Sequence, residues 1–127
     1  MADNRPDVEL RIPADGAFLS VLRTATAGLA ARLDFTLDDI EDLRIAVDEA
    51  CAVVLPQARP ESDLRCAFYL APETLKVEVS AQCDAPRPPH RDGFAWTVLS
   101  ALTSSLDAGV DGDTLTVTLS RTSGEPT

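Results

Sequence analysis

The chain has 127 residues, 45% of them hydrophobic, which suits one domain with a core of its own and leaves no room for two. Its formal net charge is −10, from 21 Asp and Glu against 11 Lys and Arg, so a phosphate backbone is repelled and direct nucleic-acid binding is not expected. No apolar run approaches the roughly 20 residues that span a bilayer, and the start MADNRPD is neither basic nor apolar, so a cytoplasmic protein without a membrane partner is expected.

Residues 1–6 read as a loose tail. Val8, Leu10 and Ile12 then alternate with Asp7, Glu9 and Arg11, the period of a half-buried strand, closed by Pro13. From Ala14 to Leu33 the spacing turns helical, with Phe18, Val21, Leu22, Ala25, Leu29 and Leu33 as its apolar stripe and Arg23 and Arg32 elsewhere on the surface. Thr36 is placed to cap a second helix over Asp38–Leu55, where Asp38 and Asp39 suit the positive end. In that helix Leu43, Val47, Ala50 and Val54 share one side with Ile40 and Cys51 next to them, while Asp42, Ala46, Glu49 and Val53 line the neighbouring flank. Pro56 ends it, and Gln57–Ser62 is a loop.

Leu64, Cys66, Phe68 and Leu70 face one way in the next strand, and Leu75, Val77, Val79 and Ala81 do so in the one after, joined by the turn Ala71-Pro72-Glu73-Thr74. The three prolines of residues 82–92 prevent a continued strand and make that stretch a surface loop. Phe94–Leu106 recovers a helical pattern through Ala95, Val98, Leu99 and Leu102, with Gly109 near its end and Trp96 read as core. Asp111-Gly112-Asp113 is a turn into a last strand carrying Leu115, Val117 and Leu119, and a loose tail follows over residues 122–127. The order β-α-α-β-β-α-β, with one apolar face per strand, gives a two-layer α/β sandwich with a mostly antiparallel sheet and helices on one face. Cys51, Cys66 and Cys83 are odd in number and lack metal-type spacing, and His90 has no cysteine near it, so no metal site is expected. Reduced structural thiols are the plain reading; a redox pair of Cys51 and Cys83 is the alternative.

The run Ile45-Ala46-Val47-Asp48-Glu49-Ala50 resembles the first conserved box of the histidine-kinase-like (GHKL) ATPases, in particular their small RsbW-type branch of anti-sigma factors and serine kinases. The resemblance spans one domain over residues 7–121 and rests on element order, on the helix Asp42-Leu43-Arg44 through Ala50, and on the segment from Gly93 to Leu119. It implies the Bergerat-type fold, with ATP and Mg2+ as family cofactors and Glu49 as the base that activates the attacking group. The family's magnesium-binding asparagine, four residues on, is Val53 here, and valine offers no hard oxygen ligand. The family's Asp-x-Gly-x-Gly turn, whose aspartate reads adenine, falls on Ala81 and Cys83; moving the register to Asp84 still supplies no glycine. Of the Gly-x-Gly turn that opens the late helix, where backbone N–H groups approach phosphate, Gly93 remains and Ala95 replaces its partner.

The resemblance therefore implies a binding regulator, an anti-sigma factor that sequesters a sigma factor and is released by a STAS-domain anti-sigma antagonist, acting as a homodimer with kinase activity weak or lost and no cofactor expected. Glu49 is then a relic base and Gly93 a remnant of the nucleotide site. Family members contact sigma largely through the first helix, which here makes Arg23 the candidate partner-binding residue. The alternative is an active serine kinase that uses Mg-ATP and Glu49 to phosphorylate the antagonist. A third reading is a bare α/β domain with some other ligand in the vacated pocket.

Overall fold

A computed structural model describes residues 5–124. Five strands, β1 (Val8–Pro13), β2 (Asp63–Ala71), β3 (Thr74–Gln82), β4 (Ser105–Asp111) and β5 (Thr114–Thr122), form one open sheet in the order β1-β2-β3-β5-β4, with every pairing antiparallel. Three helices, α1 (Leu19–Arg32), α2 (Leu37–Val54) and α3 (Phe94–Leu102), make the second layer. The two-layer α/β sandwich expected from periodicity is the one the chain adopts.

The period-2 faces explain the layering. Leu64, Cys66 and Phe68 of β2, Leu75, Val77 and Val79 of β3, and Leu115, Val117 and Leu119 of β5 are fully buried and meet Leu43, Val47, Ala50, Cys51 and Val54 of α2 in one core. The opposite sheet face is polar. There Tyr69 donates to Glu78 at 2.7 Å, Lys76 lies 4.2 Å over the Tyr69 ring, and threonines alternate along β5. Thr36 caps α2 as expected, its hydroxyl accepting from the Asp39 N–H at 3.1 Å.

Four expectations change. The late helix stops at Leu102, and Leu106, Ala108 and Val110 belong to β4, which hydrogen-bonds to β5; Gly109 sits mid-strand and is no terminator. The turn at Gly112, with φ +64°, closes that β4–β5 hairpin. Phe18 and Val21 stand exposed, because α1 begins only at Leu19 after a short 3₁₀ turn and turns Leu22, Thr26 and Ala30 inward. Thr122 ends β5 and Gly124 is tied to Asp39, so the loose C-terminal stretch does not start at residue 122. The tail residues 1–4 and 125–127 lie outside the described residues. No described helix is long and apolar enough to cross a membrane.

Candidate functional site

The residues singled out by the family pattern lie on α2, on the 84–92 loop and at the start of α3. α2 packs on β3, β5 and α3, which fixes the flank that carries Glu49 and Val53. Glu49 is half-buried and has no hydrogen-bond or ion-pair partner among the described residues. Val53, one turn further on, packs against the core. Its carbonyl accepts from Gln57 Nε2 at 3.2 Å, so the backbone oxygen nearest the missing metal ligand is already engaged. No group of three or more His, Cys, Asp or Glu suited to a metal occurs among the described residues.

Gly93 does not present its amide to a ligand. Its N–H donates to the His90 carbonyl at 3.0 Å, and its own carbonyl accepts from the Thr97 N–H and hydroxyl at 3.1 and 3.0 Å. A Cβ at this position would meet His90 O at 3.2 Å, a tight contact that favours glycine where the backbone comes close inside the loop. Phe94 beside it is 81% exposed. Trp96, expected in the core, is only half-buried and carries the Arg91 guanidinium 4.0 Å over its ring, with Arg91 also 3.2 Å from Asp107.

The loop between β3 and α3 is strapped down. The Gln57 side-chain amide makes two bonds to the backbone of Arg87, donating to its carbonyl at 3.0 Å and accepting from its N–H at 2.8 Å. Arg59 pairs with Asp84 at 2.9 Å and Asp113 at 3.0 Å, and Ala58 forms a β-bridge to Cys83. Ala81 and Cys83, which the family resemblance sets against its adenine-reading turn, are buried. The three thiols are free, and burial pushes them up, Cys66 to about 12, which makes all three inert as nucleophiles at neutral pH.

Arg23 is not free. Its Nε makes a forked contact with the Asp48 carboxylate at 2.8 and 3.1 Å, joining α1 to α2, and the residue borders a shallow groove of about 450 Å³ with Arg44, Thr24, Ala27 and Gly28. Arg44 Nε is buried there without a hydrogen-bond partner. No contact joins Glu49, Gly93 and Arg23 among the described residues: Arg23 belongs to the α1–α2 surface, Glu49 to the flank of α2, and Gly93 to the entry of α3 behind the strapped loop.

Sequence reading missed the polar hub at the other end of α2. Asp39, 6% exposed, accepts from Arg121 Nε and Nη2 at 3.1 and 2.8 Å, from the Thr36 hydroxyl at 3.0 Å and from the Gly124 N–H at 3.1 Å. Arg121 also reaches Asp42 at 3.1 Å and the Leu102 carbonyl at 2.8 Å. The guanidinium of Arg121, then the Gly124 amide, hold the Asp39 carboxyl below its ordinary range. The signal was present: Arg121 occupies the inward position after Leu115, Val117 and Leu119, and an inward arginine requires a buried carboxylate.

No family model matches the chain. It is 34% identical over 105 residues to the anti-sigma-F factor RsbW of Mycobacterium tuberculosis strain H37Rv, which covers 83% of this chain and 62% of that protein. It is 38% identical over 76 residues to the serine-protein kinase RsbW of Halalkalibacterium halodurans, covering 59% and 47% of the two chains. Against the serine-protein kinase RsbW of Bacillus cereus strain Q1 it is 33% identical over 82 residues, covering 63% and 51%. The chain thus spans about half to three-fifths of the length of the curated relatives it matches.

Proposed function

We propose that this homologue of RsbW-type anti-sigma factors and serine-protein kinases works by binding, sequestering an RNA polymerase sigma factor and yielding it to a STAS-domain antagonist, without phosphoryl transfer. The observation that carries the reading is the strapped loop between β3 and α3. Phosphoryl transfer depends on positioning and on neutralising charge with a metal and donors. Here the metal position is Val53, the neighbouring carbonyl is engaged by Gln57, the Gly93 amide is spent on His90, and the purine wall is Ala81 and Cys83. Glu49 keeps its family position as a relic base, and Gly93 keeps its own with its amide turned away.

The working part is then surface. The helical layer exposes Phe18 and Val21, 41% and 49% exposed, Arg23 held by Asp48, and Ile45 of α2, 40% exposed. Exposed apolar side chains with a fixed cation suit a protein partner. A homodimer in the cytoplasm is the working form that the family kinship supports.

Capture on the purified full chain from its native cytoplasm, followed by calorimetry with Mg-ATP, tests the proposal. A sigma factor recovered on the chain, with no heat from nucleotide, is the expected result. Transfer of labelled phosphate to a partner serine overturns the non-catalytic reading in favour of an active kinase using Glu49. Failure to bind any sigma factor removes the regulatory one.

A further inference from the structure

The polar face of the sheet, away from the helices, holds an open cavity of about 390 Å³ at the end where β2 begins and β3 finishes. Arg11 and Arg65 stand directly opposite each other across β1 and β2 and both border it. Like charges at facing positions cost stability, and Glu9 offsets only part of this, taking Arg11 Nε at 3.3 Å and Arg65 Nη2 at 2.9 Å. Both terminal nitrogens of Arg11 remain without a protein partner among the described residues.

Beside Arg65 across the β2–β3 pairing lies Ser80, only 6% exposed, whose hydroxyl lines the cavity and makes no hydrogen bond. The side chains of Gln82 and Thr114, paired across β3 and β5, complete the floor and are equally unpartnered. Of these three only Ser80 is buried, Thr114 being half-buried and Gln82 exposed, so the concavity offers hydroxyl and amide groups that no protein partner competes for. Glu61 and Asp63, also unpaired, border the same space, with Asp63 two residues before Arg65 on the same strand face. Two guanidinium groups and two carboxylates therefore frame the cavity with balanced and separated charge.

We infer that this cavity binds a small zwitterion of the amino-acid type, its carboxylate on Arg11 and Arg65 and its ammonium towards Asp63 and Glu61. The balance excludes polyanions such as nucleotides, which Glu61 and Asp63 repel. Hydroxyl and amide groups from Ser80, Thr114 and Gln82 bond the ligand between its charged ends. The site is separate from the strapped loop and from the α1 surface, and does not depend on the proposed partner.

The test is an NMR titration of the labelled full chain with glycine, β-alanine and γ-aminobutyrate, zwitterions of increasing charge separation, beside butyrate and butylamine. The expected result is saturable movement of the Ser80, Gln82 and Thr114 amides with at least one zwitterion, the single-charge probes binding at least about tenfold more weakly. Arg65→Gln weakens butyrate and zwitterion alike, whereas Asp63→Asn weakens the zwitterion and leaves butyrate unchanged. Silence of these amides through the millimolar range overturns the inference. So does butyrate binding as tightly as the zwitterion, which means an anion site only. Shifts that track protein concentration in place of ligand also overturn it, because a second copy of the chain then occupies the face.

Discussion

Asp39 and Arg121 are 8% and 5% exposed at their side chains, and each depends on the other to be tolerated inside. Asp39→Asn removes the charge that balances Arg121 and leaves only the partly exposed Asp42 to do so; the expected loss is about 3 kcal/mol by urea denaturation at neutral pH. The pH dependence has a definite sign. Because the Asp39 pKa is lowered on folding, its contribution is complete above its unfolded value near 4 and fades as pH falls through the folded one. Wild type therefore loses stability below about pH 4 more steeply than Asp39→Asn, and parallel acid limbs count against the hub. Arg23 gives the contrasting case. Its pair with Asp48 is about 40% exposed on both sides, so Arg23→Glu costs no more than about 1 kcal/mol of stability. It places an acid beside Asp48, and if the proposed sigma-binding role of this surface holds, affinity for a sigma factor is expected to fall by about tenfold. Unchanged affinity in that variant strikes Arg23 from the contact surface.

At the scale of elements, the strap is held by one side chain that acts as a piece of strand, since the Gln57 amide satisfies both backbone groups of Arg87. Gln57→Ala removes both bonds while the Arg59 pairs remain, so exchange of the Arg87 amide is expected to rise on the order of tenfold with global stability little changed. Gly112→Ala places a side chain at φ +64° and is expected to cost about 1 kcal/mol, read as a lower thermal midpoint with faster exchange in β4. These two elements also show what was legible beforehand. The α2 stripe and the inward faces of β2, β3 and β5 were read residue by residue, because a core face repeats and repetition is visible in one dimension. β4 was lost because Leu99, Leu102 and Leu106 continue a helical spacing, and the alternation of Leu106, Ala108 and Val110 competes with it over only a few residues. The positions of Glu49 and Gly93 were legible from a family pattern, but their engagement was not. The Gln57–Arg87 clamp joins residues 30 apart and the Asp39–Arg121 pair residues 82 apart, and no periodicity records such pairings.

For the molecule as a whole, several cationic side chains are already engaged in ion pairs, most of them at the surface: Arg23 to Asp48, Arg44 to Glu41, Arg59 to Asp84 and Asp113, Arg65 to Glu9, Arg91 to Asp107. A triphosphate arriving at a chain of net charge −10 is repelled overall, and the Gly93 N–H, turned to His90, is not available to it. On the non-catalytic reading proposed above, no single substitution is expected to produce tight nucleotide binding. Val53→Asn returns an oxygen ligand four residues after Glu49, yet Ala81 and Cys83 still offer no purine recognition, the Gly93 N–H still faces His90, and Gln57 still fastens the loop. The variant introduces a polar group at a half-buried position that packs on the core, at a cost of about 1 kcal/mol. Calorimetry with Mg-ATP is expected to give no heat for either protein, with a lower thermal midpoint for Val53→Asn as the only difference. Micromolar, magnesium-dependent binding by the variant would mean that the chain is competent except for one ligand, and the strap would then be no barrier to nucleotide.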